Sequence, residues 1–275
     1  MPGRNIIWCQ TSDASQVSAI AGQDYSHVIL SALHMHNDGG TYSLYLNDTA
    51  LPDVGQDYWD AVASLQAAGV TVTALLGGAG NGTWQCVTDD LQQAANVLVA
   101  AMDSPYNLQG FDLDWETSPA YSATTIGNLT NAIVAGNSAA IVTHAPVPGL
   151  LSTYDQAFWN LVGDNLAWIN VQWYGDSTLR DDYANFVSGQ TSGAAVSPNK
   201  VVCGATVMPQ GGVGYTPLCT LMKWIVDLQS KYSDFGGVAG WEFTQTIGST
   251  DPKVANWNTC IQAALGGSTT CVACS

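Results

Sequence analysis

Residues 108–116 read Leu-Gln-Gly-Phe-Asp-Leu-Asp-Trp-Glu, in which polar and apolar side chains alternate. The period of two predicts a β-strand whose acids, Asp112, Asp114 and Glu116, share one face at steps of about 7 Å. The other face is apolar and needs cover, which disfavours an exposed edge strand with a solvated acidic face. Burying three carboxylates together is costly unless one is protonated or all are hydrogen-bonded. The stretch therefore indicates a buried strand that leads into a site for acid–base chemistry.

Strand-like runs recur along the chain, and helical patterns separate most of them. The eight predicted strands are Asn5–Trp8, His27–Met35, Val70–Leu76, Gly110–Glu116, Ala139–Pro146, Trp168–Tyr174, Lys200–Val207 and Gly237–Phe243. The predicted helices are Tyr58–Ala68, Asp89–Met102, Thr124–Val134, Gln156–Val162, Asp181–Val187, Pro217–Tyr232 and Lys253–Leu265. No linker divides the chain. The alternation predicts an α/β fold, a single-domain (β/α)8 TIM barrel over residues 1–275, with its chemistry at the C-terminal strand ends.

Two connections between these elements are unusual. The one after the second strand is long, and its residues Thr41–Leu46 alternate well enough to form a hairpin beside the barrel mouth. The glycine-rich residues 77–82 follow the third strand, but neither a Gly-Lys-Ser/Thr sequence nor a GxGxxG register accompanies them. They are therefore predicted to form a tight loop at the barrel rim and not a phosphate-binding loop.

Net charge and composition narrow the class of ligand. The chain has 22 Asp and Glu against six Lys and Arg, a formal charge of −16 at pH 7. Most of the surface would repel nucleic acid and anionic membranes, so neither is an expected partner. Ten Trp and eleven Tyr suit a neutral ligand held by hydrogen bonds and aromatic faces, although core packing could use the same residues. No apolar stretch approaches the roughly 20 residues of a membrane-spanning helix.

Sequons and cysteines point to a secreted protein. The sequons begin at Asn47, Asn81 and Asn128. Seven cysteines could form up to three disulfides with one thiol left over, in pairings that the sequence does not reveal. Residues 1–4 are too short for a signal peptide, so we expect a leader to have been trimmed. The CxxC pattern at 271–274 follows Gly-Gly-Ser-Thr-Thr at the C-terminus, where a redox or zinc role is not expected.

The histidines define no clear metal or nucleophile site. His34 and His36 share a strand face at metal-ligand spacing, but no third ligand is identifiable, which favours a role in a polar rim or the core over zinc. His144 has no GxSxG elbow to supply a serine nucleophile, so it is expected to be a hydrogen-bonded residue of the barrel. Neither a metal nor a cofactor is expected.

The acidic stretch resembles a family signature. Residues 109–116, Gln-Gly-Phe-Asp-Leu-Asp-Trp-Glu, are similar to the DGxDxDxE signature of glycoside hydrolase family 18. Four further strand ends resemble the family at Leu76-Gly77-Gly78, Ala145-Pro146, Gln172-Trp173-Tyr174 and Gly240-Trp241-Glu242. The compact barrel, with its first and last strand sequences at 6–11 and 236–243, most resembles the fungal endo-β-N-acetylglucosaminidases, which cleave N-glycans within the chitobiose core.

The resemblance implies a retaining, substrate-assisted mechanism through an oxazolinium intermediate. Glu116 would be the general acid that protonates the glycosidic oxygen. Asp114 would orient the substrate's N-acetyl group and stabilise the intermediate's charge, while Asp112 beneath it would share a proton or hydrogen bond. Tyr174 would donate its hydroxyl to the acetamide oxygen. The implied substrate-binding residues are Trp241, Gln172 and Trp173. From the residues alone, core filling is favoured for Trp241, and Gln172 could equally belong to a polar layer of the barrel.

The sequence departs from the signature at Gln109, where family members usually carry Asp. A neutral Gln cannot share a proton with Asp112, so the titration of the acidic residues would shift, although catalysis is expected to survive because the three residues closest to the bond are intact.

Three functions are considered. The favoured one is a monomeric, extracellular endo-β-N-acetylglucosaminidase that acts on the N-glycans of glycoproteins. A chitinase would be favoured by an aromatic-lined groove and an appended chitin-binding module. A barrel that binds sugars or inhibits another hydrolase without turnover is the third. Glycan preference is expected to depend on the loops at 39–47 and 81–88.

Overall fold

Eight parallel strands close into a ring in the computed structural model, which describes residues 3–80, 82–116, 120–209 and 214–274. The ring strands are β1 (Arg4–Gln10), β2 (His27–Asp38), β5 (Thr71–Gly78), β6 (Gly110–Trp115), β7 (Ile141–His144), β8 (Leu166–Val171), β9 (Val201–Thr206) and β10 (Gly237–Trp241). They pair in chain order, and β1 closes the ring by pairing with both β10 and β2. The predicted TIM barrel and its eight strands are confirmed.

The predicted hairpin is also present. Strand β3 (Thr41–Leu46) runs antiparallel to the outer half of β2, with Leu33 opposite Leu46 and Asp38 opposite Thr41. The short strand β4 (Thr49–Ala50) then pairs with β3. Both strands lie outside the ring, so the hairpin extends the sheet at the C-terminal end of β2, beside the barrel mouth.

Helices surround the ring. They are α1 (Ala14–Ser18), α2 (Gln56–Ala67), α3 (Gly82–Asp89), α4 (Leu91–Ala100), α5 (Ala123–Gly136), α6 (Gln156–Val162), α7 (Leu179–Val187), α8 (Leu218–Lys231), α9 (Pro252–Ala255) and α10 (Trp257–Leu265). The helix predicted over Asp89–Met102 corresponds to α4, which begins at Leu91, and the prediction did not include α3. Asp90 has an extended backbone and its carboxylate accepts a hydrogen bond from Gln93 N, so it begins α4 and separates it from α3.

The helix predicted over Lys253–Leu265 is divided into two helices, α9 and α10. Asn256 leaves the helical conformation, and its side-chain amide donates to Pro252 O at 2.7 Å, which ends α9 before α10 begins. The sequence prediction also did not include α1, which Asp13 caps by accepting from Ser15 N.

Two apolar layers hold the barrel. The inner layer fills the ring itself, with Trp8, Trp168 and smaller side chains such as Ala32 and Ala145. The outer layer lies between ring and helices, where Trp115 from β6 stacks on Trp84 from α3 at a centroid distance of 4.7 Å. All six residues of β6 are buried. The exposed edge-strand interpretation of this stretch is therefore wrong, because its apolar face packs under helices and its acidic face points into the ring.

Disulfides fasten the C-terminal segment to two helices. Cys219 in α8 pairs with Cys274, and Cys260 in α10 pairs with Cys271. The two cysteines of the CxxC pattern thus belong to different bridges. The thiols of Cys9, Cys86 and Cys203 are buried. Within the described ranges, none of the helices combines the length and apolarity that crossing a membrane requires.

The sequons lie in different settings. Asn128 is exposed on α5, whereas the side-chain amide of Asn47 bonds to the backbone of Ser31 and Ala32. Asn81 lies outside the described residues.

Candidate active site

A cavity of 530 Å³ opens at the C-terminal ends of the ring strands, where the barrel fold predicts the chemistry. Glycines and small side chains at β2, β5 and just after β7 form much of its wall. Its polar side chains come from the ends of β1, β2, β6 and β8. Five residues that the sequence singled out line this cavity: Asp114, Glu116, Gln172, Tyr174 and Trp241.

Asp112 lies beneath the cavity and is fully buried. Its Oδ1 accepts hydrogen bonds from Thr143 Oγ1 at 2.6 Å and Asn170 Nδ2 at 3.0 Å, and its Oδ2 accepts from Trp8 Nε1 at 2.9 Å. Burial raises the pKa of Asp112, and the three hydrogen bonds oppose that rise. The carboxyl group is therefore held in one orientation by groups from three other strands.

Asp114 is the buried acid at the cavity floor, with 5% of its surface exposed. Burial, followed by the charges of Glu116 and Asp112, raises its pKa well above the usual value, and the hydrogen bond from Gln172 counteracts part of this shift. Because two neighbouring carboxylates oppose a third negative charge, this environment favours the protonated form of Asp114.

Gln172 joins the two upper acids. Its Nε2 lies 3.0 Å from Asp114 Oδ1, 3.0 Å from Glu116 Oε1 and 2.8 Å from Ala145 O. An amide nitrogen has two hydrogens for these three acceptors, so at least one contact is shared. The side chain is nine-tenths buried and fixes the spacing of the two carboxyl groups.

Tyr174 and two tryptophans complete the cavity. Burial and then the charges of Asp114, Glu116 and Asp112 raise the pKa of Tyr174 well above its usual value, so it remains a phenol that can donate a hydrogen bond. The indole of Trp241 meets that of Trp8 edge-on at 6.0 Å. Together the indoles offer an apolar wall of the kind that suits the CH face of a pyranose ring.

Gly77 allows β5 to approach the C-terminal end of β6. It has φ +108°, and a Cβ at this position would lie 2.4 Å from Asp114 O and 2.7 Å from Trp84 Nε1. That indole nitrogen donates to the same Asp114 carbonyl at 3.1 Å. The resemblance at Leu76-Gly77-Gly78 thus has a physical basis, since any side chain at Gly77 would displace the backbone of Asp114.

Trp173 is not brought to the cavity. It is 1% exposed and lies in the outer core, with its ring 5.9 Å from that of Tyr183. Neighbouring side chains of an extended segment point to opposite faces, so Gln172 and Tyr174 face the cavity and Trp173 faces the helices.

Gln109 is also distant from the acids. It is exposed before β6 begins, and its Oε1 accepts a hydrogen bond from Val72 N at 2.7 Å. A rise of about 3.3 Å per residue puts it some 10 Å along the chain from Asp112. Gln109 therefore makes no contact with Asp112 through which it could produce the expected shift in the titration of the acids.

The histidines fit the polar and core interpretations. His144 is buried, with Nε2 2.8 Å from Thr130 Oγ1 and Nδ1 3.1 Å from Tyr154 OH, as expected of a hydrogen-bonded barrel residue. His34 lines the cavity, while His36 packs on Tyr45 with a centroid distance of 4.3 Å. Over the described ranges, no cluster of three His, Cys, Asp or Glu side chains has the arrangement of a metal site.

Sequence reasoning missed three residues that hold Asp112: Trp8, Thr143 and Asn170. Asn170 gave a usable signal, because it is the lone polar residue in the run Leu166–Val171, and a buried amide inside an apolar strand needs hydrogen-bond partners. Trp8 and Thr143 gave none, since their contacts depend on the register of strands that are far apart in the chain.

These side chains together can accommodate a neutral, hydroxyl-rich ligand and exchange protons with it. Glu116 is half-buried at the cavity surface, Asp114 beside it is buried in an environment that favours protonation of Asp114, and the phenol of Tyr174 lines the same cavity. A pair of titratable groups in different environments is typical of sites for acid–base chemistry.

Known proteins share this architecture. A solved fungal endo-β-N-acetylglucosaminidase from glycosyl hydrolase family 18 is 26% identical, with a TM-score of 0.74, and the match covers 95% of this chain and 97% of that one. The chain has the fold of glycoside hydrolase family 18. A chitinase, ChiC, of Aspergillus fumigatus is 25% identical with a TM-score of 0.73, covering 96% of this chain and 99% of its own.

Two further similarities agree with the family 18 fold. A family 18 chitinase of Pseudoalteromonas aurantia shares that fold at 21% identity and a TM-score of 0.75, over 95% of this chain and all of that one. Chitinase 2 of Rhizopus oligosporus is 26% identical in an alignment of 273 positions that covers 88% of this chain. The chain spans about half the length of that protein, 48%. No protein-family model matches the chain.

Proposed function

We propose that the chain is an endo-β-N-acetylglucosaminidase that hydrolyses the chitobiose core of N-glycans on glycoproteins. The acids, the phenol and the aromatic wall of the cavity support hydrolysis of an N-acetylglucosaminide bond. The similarity to the fungal endo-β-N-acetylglucosaminidase, which extends over nearly the whole of both chains, supports the choice of substrate.

In the proposed mechanism, Glu116 gives its proton to the glycosidic oxygen while the substrate's acetamide oxygen attacks the anomeric carbon and the glycosidic bond breaks. Asp114 and Tyr174 hydrogen-bond to the acetamide, and Asp114 stabilises the positive charge that develops on it. Asp112, beneath Asp114, shares a hydrogen bond with it and sets its orientation. Glu116 then removes a proton from the water that opens the oxazolinium ring, and the product retains its configuration.

The distribution of aromatic residues is the observation that supports an N-glycan over chitin as the substrate. All Trp, Tyr and Phe residues are in the described ranges and none of them is exposed. The main cavity has three aromatic lining residues, Trp8, Tyr174 and Trp241. Chitin would be favoured by a groove with a row of aromatic platforms.

A second groove supports the same preference. It has a volume of 440 Å³ and shares His34 with the main cavity, and it lies between the β2–β3 hairpin and α3. Its lining includes Asn37, Asp38, Gln85 and Asp89, but no Trp, Tyr or Phe. Amide and carboxylate side chains can hydrogen-bond to the many hydroxyls of a branched, neutral glycan, but they offer no aromatic face on which the sugar rings of a linear polymer could stack.

Chitin hydrolysis is the second candidate function. It is favoured by the similarity to ChiC of Aspergillus fumigatus and to Chitinase 2 of Rhizopus oligosporus, at 25% and 26% identity. The same acids would perform the same chemistry on chitooligosaccharides, so the two functions differ in what the wall beyond the cleavage point recognises.

A direct competition separates them. The protein is incubated with equal concentrations of a high-mannose glycopeptide and chitopentaose, and both are followed by mass spectrometry. We expect at least a tenfold larger kcat/KM for the glycopeptide, with one N-acetylglucosamine left on asparagine. The reverse preference would replace the proposal with the chitinase. Secretion, supported by the sequons, is tested by looking for the protein in culture medium.

A further inference from the structure

A chain of hydrogen bonds inside the barrel ends at Asp112. Trp168 in β8 donates from Nε1 to Asn170 Oδ1 at 2.9 Å, and Asn170 Nδ2 donates in turn to Asp112 Oδ1 at 3.0 Å. Asn170 is 0% exposed and Trp168 is 6% exposed. Neither residue lines the main cavity, so neither touches a substrate there.

The indole determines which way the amide points. The O and N atoms of an Asn side chain can exchange places by rotation, and each orientation offers a different atom to Asp112. An indole N–H is a donor only, so it requires the amide oxygen on its own side. The amide nitrogen must then face the carboxyl group of Asp112, and Asp112 must accept.

We propose that Asn170, oriented by Trp168, is a positioning residue that keeps Asp112 as the hydrogen-bond acceptor and thereby leaves the exchangeable proton on Asp114. This inference rests on the proposed function, because a role is assigned to that proton in the hydrolysis. It adds two residues of the barrel interior to those that control the reaction.

The other contacts of Asp112 favour the same state. Trp8 Nε1 is a second donor-only group, and the hydroxyl of Thr143 is the one neighbour of the three that can also accept. A protonated Asp112 could donate to Thr143 alone, which would lose the hydrogen bond that Thr143 donates, while Trp8 and Asn170 would still present donors. The carboxylate satisfies all three neighbours, and three hydrogen bonds offset much of the cost of burying its charge.

The remaining charged and titratable groups lie on two sides of the Trp168–Asn170–Asp112 chain: near Asp112 on the cavity side, and near Trp168 on the opposite side. Asp114 and Glu116 extend from the same strand, and the phenols of Tyr174 and Tyr154 both feel the charge of Asp112 from their own elements. Below, the guanidinium of Arg4 lies 4.2 Å from the ring centroid of Trp168, and His27 packs against that ring edge-on at 5.1 Å. These two contacts hold the indole plane, so the donor keeps its direction.

Trp168→Phe is the main test. It keeps an aromatic ring for Arg4 and His27 but removes the donor, so the amide of Asn170 becomes free to turn its oxygen toward Asp112. The carboxylate is then less stable, and a second proton binds to the Asp112–Asp114 pair at higher pH. We expect kcat to fall about tenfold with KM changed less than twofold. The acidic limb of the pH–kcat profile should rise by about one pH unit, the size expected for one hydrogen bond to a buried carboxylate.

Trp59→Phe is the matched control. Trp59 is 4% exposed, and its Nε1 has no hydrogen-bond partner among the described residues. The substitution removes the same atoms from a tryptophan of the outer core, so it should leave the acidic limb where it is. The double variant Trp168→Phe/Asn170→Ala should shift the limb no further than Asn170→Ala alone, because Trp168 acts through the amide.

Thermal unfolding provides a readout that needs no activity. Since Trp168→Phe destabilises the Asp112 carboxylate in the folded state, it should lower Tm more at pH 7 than at an acidic pH at which Asp112 is protonated. Trp59→Phe should lower Tm equally at both. An inactive wild type would refute the proposed function, but the Tm values of Trp168→Phe and Trp59→Phe could still be compared at the two pH values. A Trp168→Phe loss of Tm that does not depend on pH, or an additive double variant, would overturn the inference.

Discussion

The substitution Gly77→Ala tests whether a glycine is required where β5 and β6 approach each other closely. The neighbouring residue Gly78 provides the control, because both glycines have φ above +100° and only Gly77 has atoms within 4 Å of the position of an added Cβ. The backbone strain of a positive φ, about 1–3 kcal/mol, is common to the two alanine variants. Overpacking against Asp114 O at 2.4 Å and Trp84 Nε1 at 2.7 Å is specific to Gly77 and adds about 1–3 kcal/mol.

The assay is urea unfolding of both variants, with the free energy of unfolding extrapolated to water. We expect Gly77→Ala to be less stable than Gly78→Ala by about 1–3 kcal/mol. We also expect kcat/KM of Gly77→Ala to fall about 100-fold, because a shift near 1 Å of the Asp114 backbone misplaces the acid beneath the substrate. Equal free energies of unfolding for the two variants would refute the argument that this glycine is required by the approach of β6.

The other predictions concern the cavity and the C-terminal bridge. Tyr174→Phe removes the phenol donor and should lower kcat by about 10- to 1000-fold with little change in Tm; an unchanged kcat would exclude its role toward the acetamide. Gln172→Leu removes the donor that lowers the pKa of Asp114, so that pKa rises further, and the limb of the pH–kcat/KM profile at which Asp114 loses its proton should move to higher pH; a shift to lower pH would contradict the electrostatic role of Gln172. Cys219→Ser opens the bridge to Cys274, which spans 55 residues, and should cost about 2–4 kcal/mol by chemical denaturation; a loss below the error of the measurement would contradict it.

The stretch 108–116 predicted much of the site because its chemistry is local. Residues 108–116 alternate with a period of two, so three acids share one face and bulky apolar residues share the other. This pattern requires a buried strand whose acids have polar neighbours inside the barrel, and β6 is such a strand. Likewise, Gln172 and Tyr174 reach the cavity because residues two apart on an extended segment share a face. The same rule, applied to its neighbour, puts Trp173 in the outer core.

The surroundings of Asp112 could not be predicted in this way. Trp8, Thr143 and Asn170 come from β1, β7 and β8, and their contacts depend on strand register and on closure of the ring. The pairing of Cys219 with Cys274 also depends on where α8 packs. The break between α3 and α4 was, in contrast, available locally, since Asp90 is a favourable N-cap and α3 could have been read as a separate helix.

Cleavage of an N-glycan by the wild type beside Glu116→Gln tests the central proposal most directly. Intact-mass spectrometry of a high-mannose glycoprotein before and after incubation measures which bond breaks. We expect the wild type to leave a single N-acetylglucosamine on asparagine, and we expect Glu116→Gln, folded to the same Tm, to leave the glycan whole. An unchanged glycoprotein with the wild type, or cleavage by Glu116→Gln at the wild-type rate, would contradict the proposal.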